Sequence, residues 1–212
     1  MISVIIPTRN EEEGIGKVIR EIKKLGKNYE ILVVDKSEDR TPEIAKKMGA
    51  KVIRQRDAGK GNAMKLGVKK AKGDIVVFID GDDTYPPRYI PKMVKLMEEY
   101  DFVRGSRIKY LRNAGLLHFL GNLFFSLLAS IIYGRTTDLL TGLYCLRKAD
   151  FERMKLKSSG FEIETEIFIK ACKMGFRRKE IYIEYKPRKG KAKLRSFKDG
   201  FRILKTLLLG VF

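Results

Sequence analysis

The chain has 212 residues, 44% of them hydrophobic and 33% charged, which suits one globular domain and excludes collagen-like and disordered classes. It carries 45 Lys and Arg against 26 Asp and Glu, so its formal net charge is +19. This excess favours an anionic partner, which composition leaves open between nucleic acid, a phosphorylated metabolite and an acidic membrane surface.

Apolar runs and helical patterns alternate along the first half of the chain. Short β-branched runs predict strands, and amphipathic spacing between them predicts helices. The predicted strands are residues 2–6, 31–34, 51–54 and 75–79, and the predicted helices are residues 16–25, a helix opening at Thr41-Pro42, and residues 61–72. Continuous apolar strands that alternate with helices are typical of a sheet covered on both faces. We therefore predict a single α/β domain with a Rossmann-like, mostly parallel sheet.

Polar residues follow three of these four strands. Residues 7–11 follow the first strand, Asp35 follows the second, and residues 80–83 follow the fourth. Ligands bind at the carboxyl ends of parallel strands, so the three clusters are expected to meet at one edge of the sheet. Asp35 taken alone is more simply a solvated turn, but the joint placement of the clusters predicts a binding site.

The segment 80–83, AspGlyAspAsp, is the most specific chemical signal. Carboxylates at positions i and i+2 after a buried strand form an oxygen-rich cluster suited to Mg²⁺ or Mn²⁺ carrying a diphosphate. We predict that Asp80 and Asp82 bind this metal. The glycine-rich turn at residues 59–63 presents Lys60 and backbone amides to phosphates, although it matches neither GxxxxGK[ST] nor GxGxxG.

Residues 115–133 form a long apolar stretch with a polar residue at every fourth position. These polar residues share one narrow stripe of a helix and are His118, Asn122, Ser126 and Ser130. We favour a helix that lies in a membrane interface. A buried core helix and a transmembrane span are the alternatives, and a span would put the segments before and after it on opposite sides of the bilayer.

Residues 195–212 combine a second apolar stripe with basic side chains. The apolar residues at helical spacing are Phe197, Phe201, Leu204, Leu208 and Val211. A basic amphipathic helix beside anionic headgroups explains the combination better than a nucleic-acid groove, where the apolar residues would have no role. The alternative is a solvated basic face over a core helix.

Two features favour a cytoplasmic protein. Cys145 and Cys172 lack CxxC spacing, and two isolated cysteines are typical of a reducing compartment. The first residues, MISVIIPTRNEEE, lack the basic and long apolar regions of a signal peptide. We therefore expect no signal peptide and interpret this segment as the first strand.

Eight segments, in order along nearly the whole chain, resemble the family 2 glycosyltransferases with the GT-A fold. The resemblance is strongest to the branch that loads sugars onto polyprenyl or dolichyl phosphate. The segments are VIIPTRNEE (4–12), VVDKSEDRTPEIA (33–45), GKGNAMKLG (59–67), FIDGDDTYPP (78–87), GSR (105–107), DLLTGLYCLR (138–147), GFEIETEI (160–167) and RKGKAKLRSFKDG (188–200). It implies one GT-A domain over residues 1–212, with membrane-interface helices near residues 113–133 and 195–212.

The resemblance assigns the donor side by position. Asp80 and Asp82 match the metal and diphosphate motif, with Asp82 the better candidate for direct coordination and Asp83 an auxiliary one. Asp35 matches the acid that contacts the base or ribose. Together with Lys60, the residues expected to bind the nucleotide sugar are Pro7, Thr8, Asn10, Glu12, Asp35 and Asp80.

The acceptor side is assigned in the same way. Asp138 and Thr141 match a DxxSG-like element, with Thr in place of Ser. The tail reads RKGKAKL where relatives have RxGxSKL, so Ala192 removes a hydroxyl that could touch a phosphate. The residues expected at the acceptor phosphate are Arg107, Arg112, Thr141, Arg188 and Lys193, and the expected catalytic residues are Asp82, Arg107, Arg112 and Asp138.

The expected activity is a metal-dependent, inverting transfer of glucose, N-acetylglucosamine or mannose from a UDP- or GDP-sugar to polyprenyl or dolichyl phosphate. A lipid phosphate is already an anionic nucleophile, so the enzyme has to align it and neutralise charge. We expect a peripheral protein on the cytoplasmic face of the cell membrane, bound to its anionic surface.

Two alternatives remain. An enzyme of the same fold with a soluble acceptor would need a base, and Asp138 or Glu166 would have to serve, although Glu166 is also placed to pair with Lys170 four residues later. A basic nucleic-acid-binding protein would explain the charge. The sequence has no RRM-type or helix-turn-helix pattern, so we expect no nucleic-acid partner.

Overall fold

The computed structural model describes residues 1–109, 115–188 and 196–210. Its strands are β1 Ile2–Thr8, β2 Tyr29–Asp35, β3 Lys51–Arg54, β4 Ile75–Phe78, β5 Phe102–Ser106, β6 Tyr144–Arg147 and β7 Arg178–Tyr182. Its α-helices are α1 Ile15–Lys24, α2 Thr41–Lys47, α3 Lys60–Lys70, α4 Ile90–Leu96, α5 Leu116–Tyr133, α6 Lys148–Arg153, α7 Ile163–Lys173 and α8 Ser196–Leu209. Within these described ranges, the strands form one seven-stranded sheet in the order β3-β2-β1-β4-β6-β5-β7.

The sheet is mostly parallel, as predicted. Strands β3, β2, β1 and β4 run parallel to their neighbours, and β7 runs parallel to β5. Strand β6 lies between β4 and β5 and runs antiparallel to both. The four predicted strands match β1 to β4 with differences only at their ends, and the predicted α/β class is confirmed. Strands β5, β6 and β7 add to the predicted set.

Helices cover both faces of the sheet, which is why strand β1 presents apolar side chains to both of them. Val4 and Ile6 belong to the cluster that packs beneath α1, α2 and α4, whereas Ile5 belongs to the cluster beneath α3, α6 and α7. All three side chains are fully buried. Burying a side chain of this size contributes roughly 2 kcal/mol, so a polar residue on either face of β1 would be costly.

A third, smaller cluster attaches α5 and α8 to α7. Its buried members are Ala129, Leu139, Phe168, Ile169, Ile203 and Leu207. The hydroxyl of Tyr133 at the end of α5 also donates a hydrogen bond to the carbonyl of Leu207 in α8, at 2.7 Å. Each of the two helices therefore packs on the domain through one side.

Helix α5 turns its polar stripe toward the protein and its apolar surface outward. Asn122 Oδ1 accepts the backbone amide of Leu140 at 3.1 Å, and Ser126 Oγ accepts that of Leu139 at 2.9 Å. The exposed apolar residues are Leu116, Leu117, Leu120, Leu123, Phe124, Leu127, Ile131 and Ile132. A helix on a water-exposed surface has the opposite arrangement, and only 17% of this one is buried, so the core-helix alternative is wrong. By length and composition, α5 could cross a membrane.

Gly67 in α3 provides a test of how closely that helix packs on the sheet. A Cβ at this position would lie 2.5 Å from Ile5 Cγ2 and 3.2 Å from Val34 Cγ2. We expect Gly67→Ala to lower the free energy of unfolding by about 1–3 kcal/mol, because the added methyl group displaces β-branched side chains.

Gly121 is the matched control, since it lies inside α5 with nothing within 4 Å of an added Cβ. Gly121→Ala should raise the free energy of unfolding by about 0.5–1 kcal/mol through reduced backbone entropy in the unfolded chain. Urea unfolding measures both variants. Equal effects at the two positions would contradict the close approach of α3 to the sheet.

Candidate active site

A cavity of about 500 Å³ opens at the carboxyl ends of β1, β2 and β4. The polar clusters that follow these strands meet there, as the sequence predicted. The wall extends from the ends of β1 and β2, across the loop after β4, to α5 and α8. The residues that line the cavity include Pro7, Thr8, Glu11, Lys60, Asp80, Asp82, Arg107, His118, Asn122, Phe161, Glu164, Tyr185 and Arg188.

Asp35 lies directly behind Thr8 of the cavity wall. It is fully buried, and its carboxylate accepts hydrogen bonds from Thr8 Oγ1 at 2.9 Å, from Arg54 Nη1 at 2.8 Å and from Ser37 Oγ at 2.5 Å. Thr8 is its partner across the β1–β2 ladder. Among the described residues, Asp35 therefore supports Thr8 from behind the cavity wall.

Asn10 and Glu12 hold the loop after β1 against the segment after β2. The Asn10 amide donates to Ser37 Oγ at 2.7 Å, and Asn10 Oδ1 accepts the amide of Glu38 at 2.9 Å. Glu12 pairs with Arg40 at 3.0 Å. Neither Asn10 nor Glu12 belongs to the cavity wall, so their contribution in this structure is to shape the loop that carries Pro7 and Thr8.

Lys60 bridges two carboxylates in the wall. Its Nζ lies 2.6 Å from Asp80 Oδ1 and 2.7 Å from Glu164 Oε1, beside the ring of Phe161. Burial alone would lower the pKa of Lys60, but the two carboxylates outweigh it and raise that pKa. Lys60 therefore remains a cation at neutral pH, in contact with the predicted metal motif.

Glu164 is a functional candidate that the sequence analysis missed. Burial raises the pKa of its carboxyl to about 7, against the opposing effect of Lys60. The signal was present, since Glu164 lies in the GFEIETEI segment, but three acids alternate there and spacing does not show which one faces a cavity.

Glu166, the acid named from sequence, has a structural role. It is fully buried, lies 3.3 Å from Lys170 and accepts the backbone amides of Lys157 and Ser158.

Asp82 is buried beside Asp80 at the centre of the cavity wall, with 2% of its side chain exposed. Its Oδ1 accepts the amide of Thr84 at 3.1 Å and the Thr84 hydroxyl at 2.6 Å, and its Oδ2 lies 2.7 Å from Arg188 Nη1. Burial and the neighbouring Asp80 raise its pKa, while Arg188 opposes the shift. Asp82 thus needs a cation beside it to stay ionised.

Asp83 points away from the cavity wall. It takes a left-handed backbone conformation with φ 62°, and its two oxygens pair with Lys17 at 2.7 Å and Lys186 at 3.1 Å. Because Asp83 is not part of the cavity wall, the predicted auxiliary role at the metal has no support from the geometry.

The donor set around Asp80 and Asp82 fits a divalent cation that also binds substrate. Hard cations such as Mg²⁺ and Mn²⁺ prefer carboxylate oxygens, often one or two of them together with phosphate and water oxygens. Among the described residues, no group of three His, Cys, Asp or Glu comes together, so the two aspartates cannot complete a coordination shell by themselves. The pair therefore fits a cation that arrives with, or is shared by, a diphosphate.

Arg107 and Asp138 form a bidentate ion pair at the cavity wall. Arg107 Nε lies 2.7 Å from Asp138 Oδ2, and Nη2 lies 2.8 Å from Oδ1. The guanidinium also lies beside the rings of Tyr85 and Tyr185, at 5.6 and 5.1 Å from their centroids. Burial would raise the pKa of Asp138, but Arg107 outweighs it and lowers that pKa. Arg107 lines the cavity and Asp138 holds it in position.

The other residues predicted at the acceptor phosphate are placed differently from one another. Arg188 lines the cavity. The Thr141 hydroxyl is fully buried and donates to the carbonyl of Gly105 at 2.6 Å, so the structure does not bring it to the cavity. Arg112 and Lys193 lie outside the described residues.

Helix α5 contributes His118 and Asn122 to the cavity wall. The Asn122 side chain is 3% exposed, and its Nδ2 amide is buried without a hydrogen-bond partner among the described residues. A buried amide left unpaired costs about 1–3 kcal/mol, which suggests that a ligand in the cavity accepts its hydrogen bond.

The α/β sheet, with its carboxylate pair at the carboxyl edge, has the architecture of a GT-A glycosyltransferase. The chain belongs to glycosyltransferase family 2, since the model of "Glycosyl transferase family 2" matches residues 3–185. The resemblance inferred from the motifs is confirmed, and the chain is a glycosyltransferase.

Two relatives illustrate the similarity. The chain is 37% identical over 212 residues to the dolichyl-phosphate hexose transferase of Haloferax volcanii, covering 98% of this chain and 92% of that protein. It is 36% identical over 189 residues to the dolichol-phosphate mannosyltransferase of Pyrococcus furiosus, covering 80% of this chain and 52% of that protein. The second relative is therefore about twice as long as the region that it shares with this chain.

Solved structures agree on the fold. The glucosyl-3-phosphoglycerate synthase of Mycobacterium tuberculosis, in complex with Mn²⁺, UDP-glucose and phosphoglyceric acid, superposes with a TM-score of 0.81 at 24% identity. The match covers 99% of this chain and 79% of that one. At this identity the likeness establishes the shared fold.

Asp82 and Asp83 give a matched pair of variants for the carboxylate site. Asp82→Asn should abolish sugar transfer and Mn²⁺ binding while the protein stays folded, because it removes the charge of an oxygen ligand in the cavity. Asp83→Asn changes the same charge one residue along, outside the wall, and should keep Mn²⁺ affinity within about threefold. Titration calorimetry with Mn²⁺ and a nucleoside diphosphate, checked by circular dichroism, measures both. Near-normal metal-dependent turnover of Asp82→Asn would contradict the assignment.

Proposed function

We propose that this glycosyltransferase moves a hexose from a UDP- or GDP-sugar to polyprenyl or dolichyl phosphate, with inversion, on the cytoplasmic face of the membrane. The observation that carries the proposal is the reach of the cavity. Its wall extends from the strand ends at Thr8, past Asp80 and Asp82, to the inner face of α5 at Asn122. The outer face of the same helix is apolar. One cavity thus offers a nucleotide end and a lipid-facing end.

The relatives support this acceptor class by name, since one is a dolichyl-phosphate hexose transferase and another a dolichol-phosphate mannosyltransferase. The hexose stays open between glucose, N-acetylglucosamine and mannose, because nothing in the cavity wall separates them.

On the donor side, the residues provide charge for a leaving diphosphate. Lys60 is a largely buried cation beside Asp80, and Arg188 lies beside Asp82. Asp80 and Asp82 would hold a bound Mg²⁺ or Mn²⁺, which would supply positive charge to the diphosphate oxygens. Charge placed in advance where negative charge develops lowers the barrier to departure of the nucleotide.

On the proposed acceptor side, Arg107 is held in a position where it can bind an anion. Its bidentate pair with Asp138 and the two tyrosine rings restrict its rotamers, so little side-chain entropy is lost when a phosphate binds. Asn122 Nδ2 would donate to the same phosphate from α5. A phosphate monoester held there is already anionic and attacks the anomeric carbon directly, which inverts its configuration and needs no general base.

A soluble hydroxyl acceptor is the second candidate, and Glu164 is the observation that favours it. The bases proposed from sequence do not suit the role, because neither Asp138 nor Glu166 belongs to the cavity wall. Glu164 lines the cavity with a pKa of about 7, which suits a general base. The two candidates differ in the nucleophile, which an acceptor panel distinguishes.

The acceptor panel compares polyprenyl phosphate, the corresponding polyprenol and glycerol 3-phosphate, each with UDP- and GDP-hexoses and Mn²⁺. We expect transfer to polyprenyl phosphate, with retention of its phosphate in the product, and none to polyprenol. Efficient transfer to polyprenol or to a water-soluble hydroxyl would replace the proposal with the second candidate.

Asn122→Asp tests the acceptor end of the cavity. The substitution keeps an oxygen for the Leu140 amide but replaces the unpaired amide donor with a negative charge. We expect the KM for polyprenyl phosphate to rise on the order of tenfold or more, with the affinity for the nucleoside diphosphate unchanged. Asn28→Asp, which makes the same charge change at an exposed position, should alter neither quantity. A rise in the nucleotide Kd without a change in the acceptor KM would contradict the placement of the acceptor.

The exposed apolar faces of α5 and α8 support membrane binding. On α8, Phe197 and Phe201 are 91% and 69% exposed, and Lys198, Arg202 and Lys205 are exposed on the same helix. Apolar side chains that insert beside anionic headgroups gain from burial, and each nearby basic residue contributes on the order of 1 kcal/mol. We therefore propose peripheral attachment to an anionic membrane surface through these two helices.

The triple variant Phe124→Ser, Leu127→Ser, Ile131→Ser tests that attachment. These residues are exposed, whereas Phe125 and Leu128 pack against the buried cluster beneath α5, so changing the latter would confuse membrane binding with folding. We expect loss of co-flotation with vesicles of phosphatidylglycerol and phosphatidylcholine, and unchanged nucleotide binding. Wild-type protein that does not float with such vesicles would overturn the membrane proposal.

A further inference from the structure

We propose that Arg188 is an internal counter-ion that occupies the cation position at Asp82 and has to release this carboxylate before a divalent metal can bind. The inference rests on the metal-dependent donor site proposed above, and it assigns Arg188 a role in the metal-free enzyme. Binding of the metal and release of Arg188 would then be one coupled event.

The geometry places Arg188 in direct contact with two acids of the cavity wall. Its Nη1 lies 2.7 Å from Asp82 Oδ2, and its Nη2 lies 2.7 Å from Glu11 Oε1. Asp82 and Glu11 are 2% and 11% exposed. A guanidinium between two poorly hydrated carboxylates supplies the positive charge that they require.

Competition follows from the oxygen that Arg188 occupies. The other oxygen of Asp82, Oδ1, already accepts two hydrogen bonds from Thr84. Oδ2 is thus the oxygen best placed to bind a cation from the cavity, and it is the one that Arg188 contacts. A divalent ion bound at this oxygen would strongly repel a guanidinium that stayed at contact distance, so the two cations compete for it.

The bound position of Arg188 leaves one of its donors unsatisfied. Its Nε–H is buried without a hydrogen-bond partner among the described residues. An arginine built only to stabilise the fold would be expected to satisfy all its buried donors, as Arg104 and Arg107 largely do through several acceptors each. The unpaired Nε is consistent with a side chain that has a second position.

The contacts of Lys186 hold the backbone in place, so that the Arg188 side chain can move while the backbone before it does not. The Lys186 amide donates to the Thr84 carbonyl at 3.0 Å, and Lys186 Nζ pairs with Asp83 at 3.1 Å. These contacts fix the backbone two residues before Arg188 and do not involve Asp82. A released guanidinium therefore stays at the cavity wall, where an oxygen of a phosphate can accept its hydrogen bonds.

The direct test is Mn²⁺ affinity in the absence of nucleotide. While Arg188 occupies Asp82, only a fraction of the protein molecules can bind Mn²⁺, and removing the Arg188 guanidinium makes all of them able to bind it. We therefore expect Arg188→Ala and Arg188→Gln to bind Mn²⁺ about tenfold more tightly than the wild type. Arg188→Gln keeps a donor for Glu11 and guards against a loss of structure. Lys186→Ala removes the same charge from the same segment and should change the affinity by less than about twofold, because it pairs with Asp83.

A second readout is thermal stability. Without metal, Arg188→Ala should unfold at a lower temperature than the wild type, because Asp82 and Glu11 lose their counter-ion. Added Mn²⁺ should raise its melting temperature by more than it raises that of the wild type.

The outcomes separate this inference from the proposed function. Wild-type protein that binds no Mn²⁺, even with UDP or GDP, would overturn the metal-dependent donor site. Wild-type protein that binds Mn²⁺, with folded Arg188 variants that bind it equally or more weakly, would overturn only the counter-ion role. An equal gain in Mn²⁺ affinity for Lys186→Ala would also overturn the counter-ion role, because the loss of one positive charge anywhere in this segment would then explain the gain.

Discussion

Carboxylates that are buried or partly buried beside one cavity have to be neutralised by cations, and the site is organised around this requirement. Each acid at a strand end or in an adjoining loop meets a base from a distant part of the chain, and the pairs are Asp80 with Lys60, Asp82 with Arg188 and Asp138 with Arg107. Removing one partner from such a pair leaves an uncompensated buried charge, which costs more than the pair contributes. The pairs therefore determine the relative placement of the loops after β4 and β5 and the turn before α3. The proposed substrates and metal are charged too, so their binding would replace some of these ion pairs with new ones inside the cavity.

The first half of the fold could be predicted from the sequence because its strands are buried on both faces. A continuous apolar run then identifies a strand, and the polar residue that ends it identifies the ligand edge. Asp80 and Asp82 were found in this way, Lys60 was found from the glycine-rich turn at residues 59–63, and all three line the cavity. Glu164 was not found, because its place in the wall depends on how α7 packs on the sheet. Spacing within a helix shows which residues share a face but not which neighbour that face meets.

Helix α5 shows the same limit in another form. Its polar stripe was evident from the four-residue spacing, but the pattern fits a helix with polar residues toward water as well as one with polar residues toward protein. In the structure the polar stripe faces the protein, because Asn122 and Ser126 accept hydrogen bonds from backbone amides in the segment that contains Asp138. The residue that holds Arg107 is thus itself held by the helix proposed to bind the membrane. Thr141 failed to reach the cavity for a related reason, since its hydroxyl donates to the carbonyl of Gly105 in β5.

The reversed direction of β6 has a consequence for how this enzyme could change its acceptor. Because β6 is antiparallel to β5, the chain leaves the sheet after Ser106 and re-enters it at Tyr144 on the same edge. The intervening residues form a closed excursion that begins and ends beside the cavity and contributes no strand of its own among the described residues. Such an excursion can be lengthened, shortened or replaced without shifting the register of any strand. The proposed acceptor recognition by residues of this excursion is in this sense an exchangeable module, while the half of the sheet with the proposed donor site has no comparable freedom.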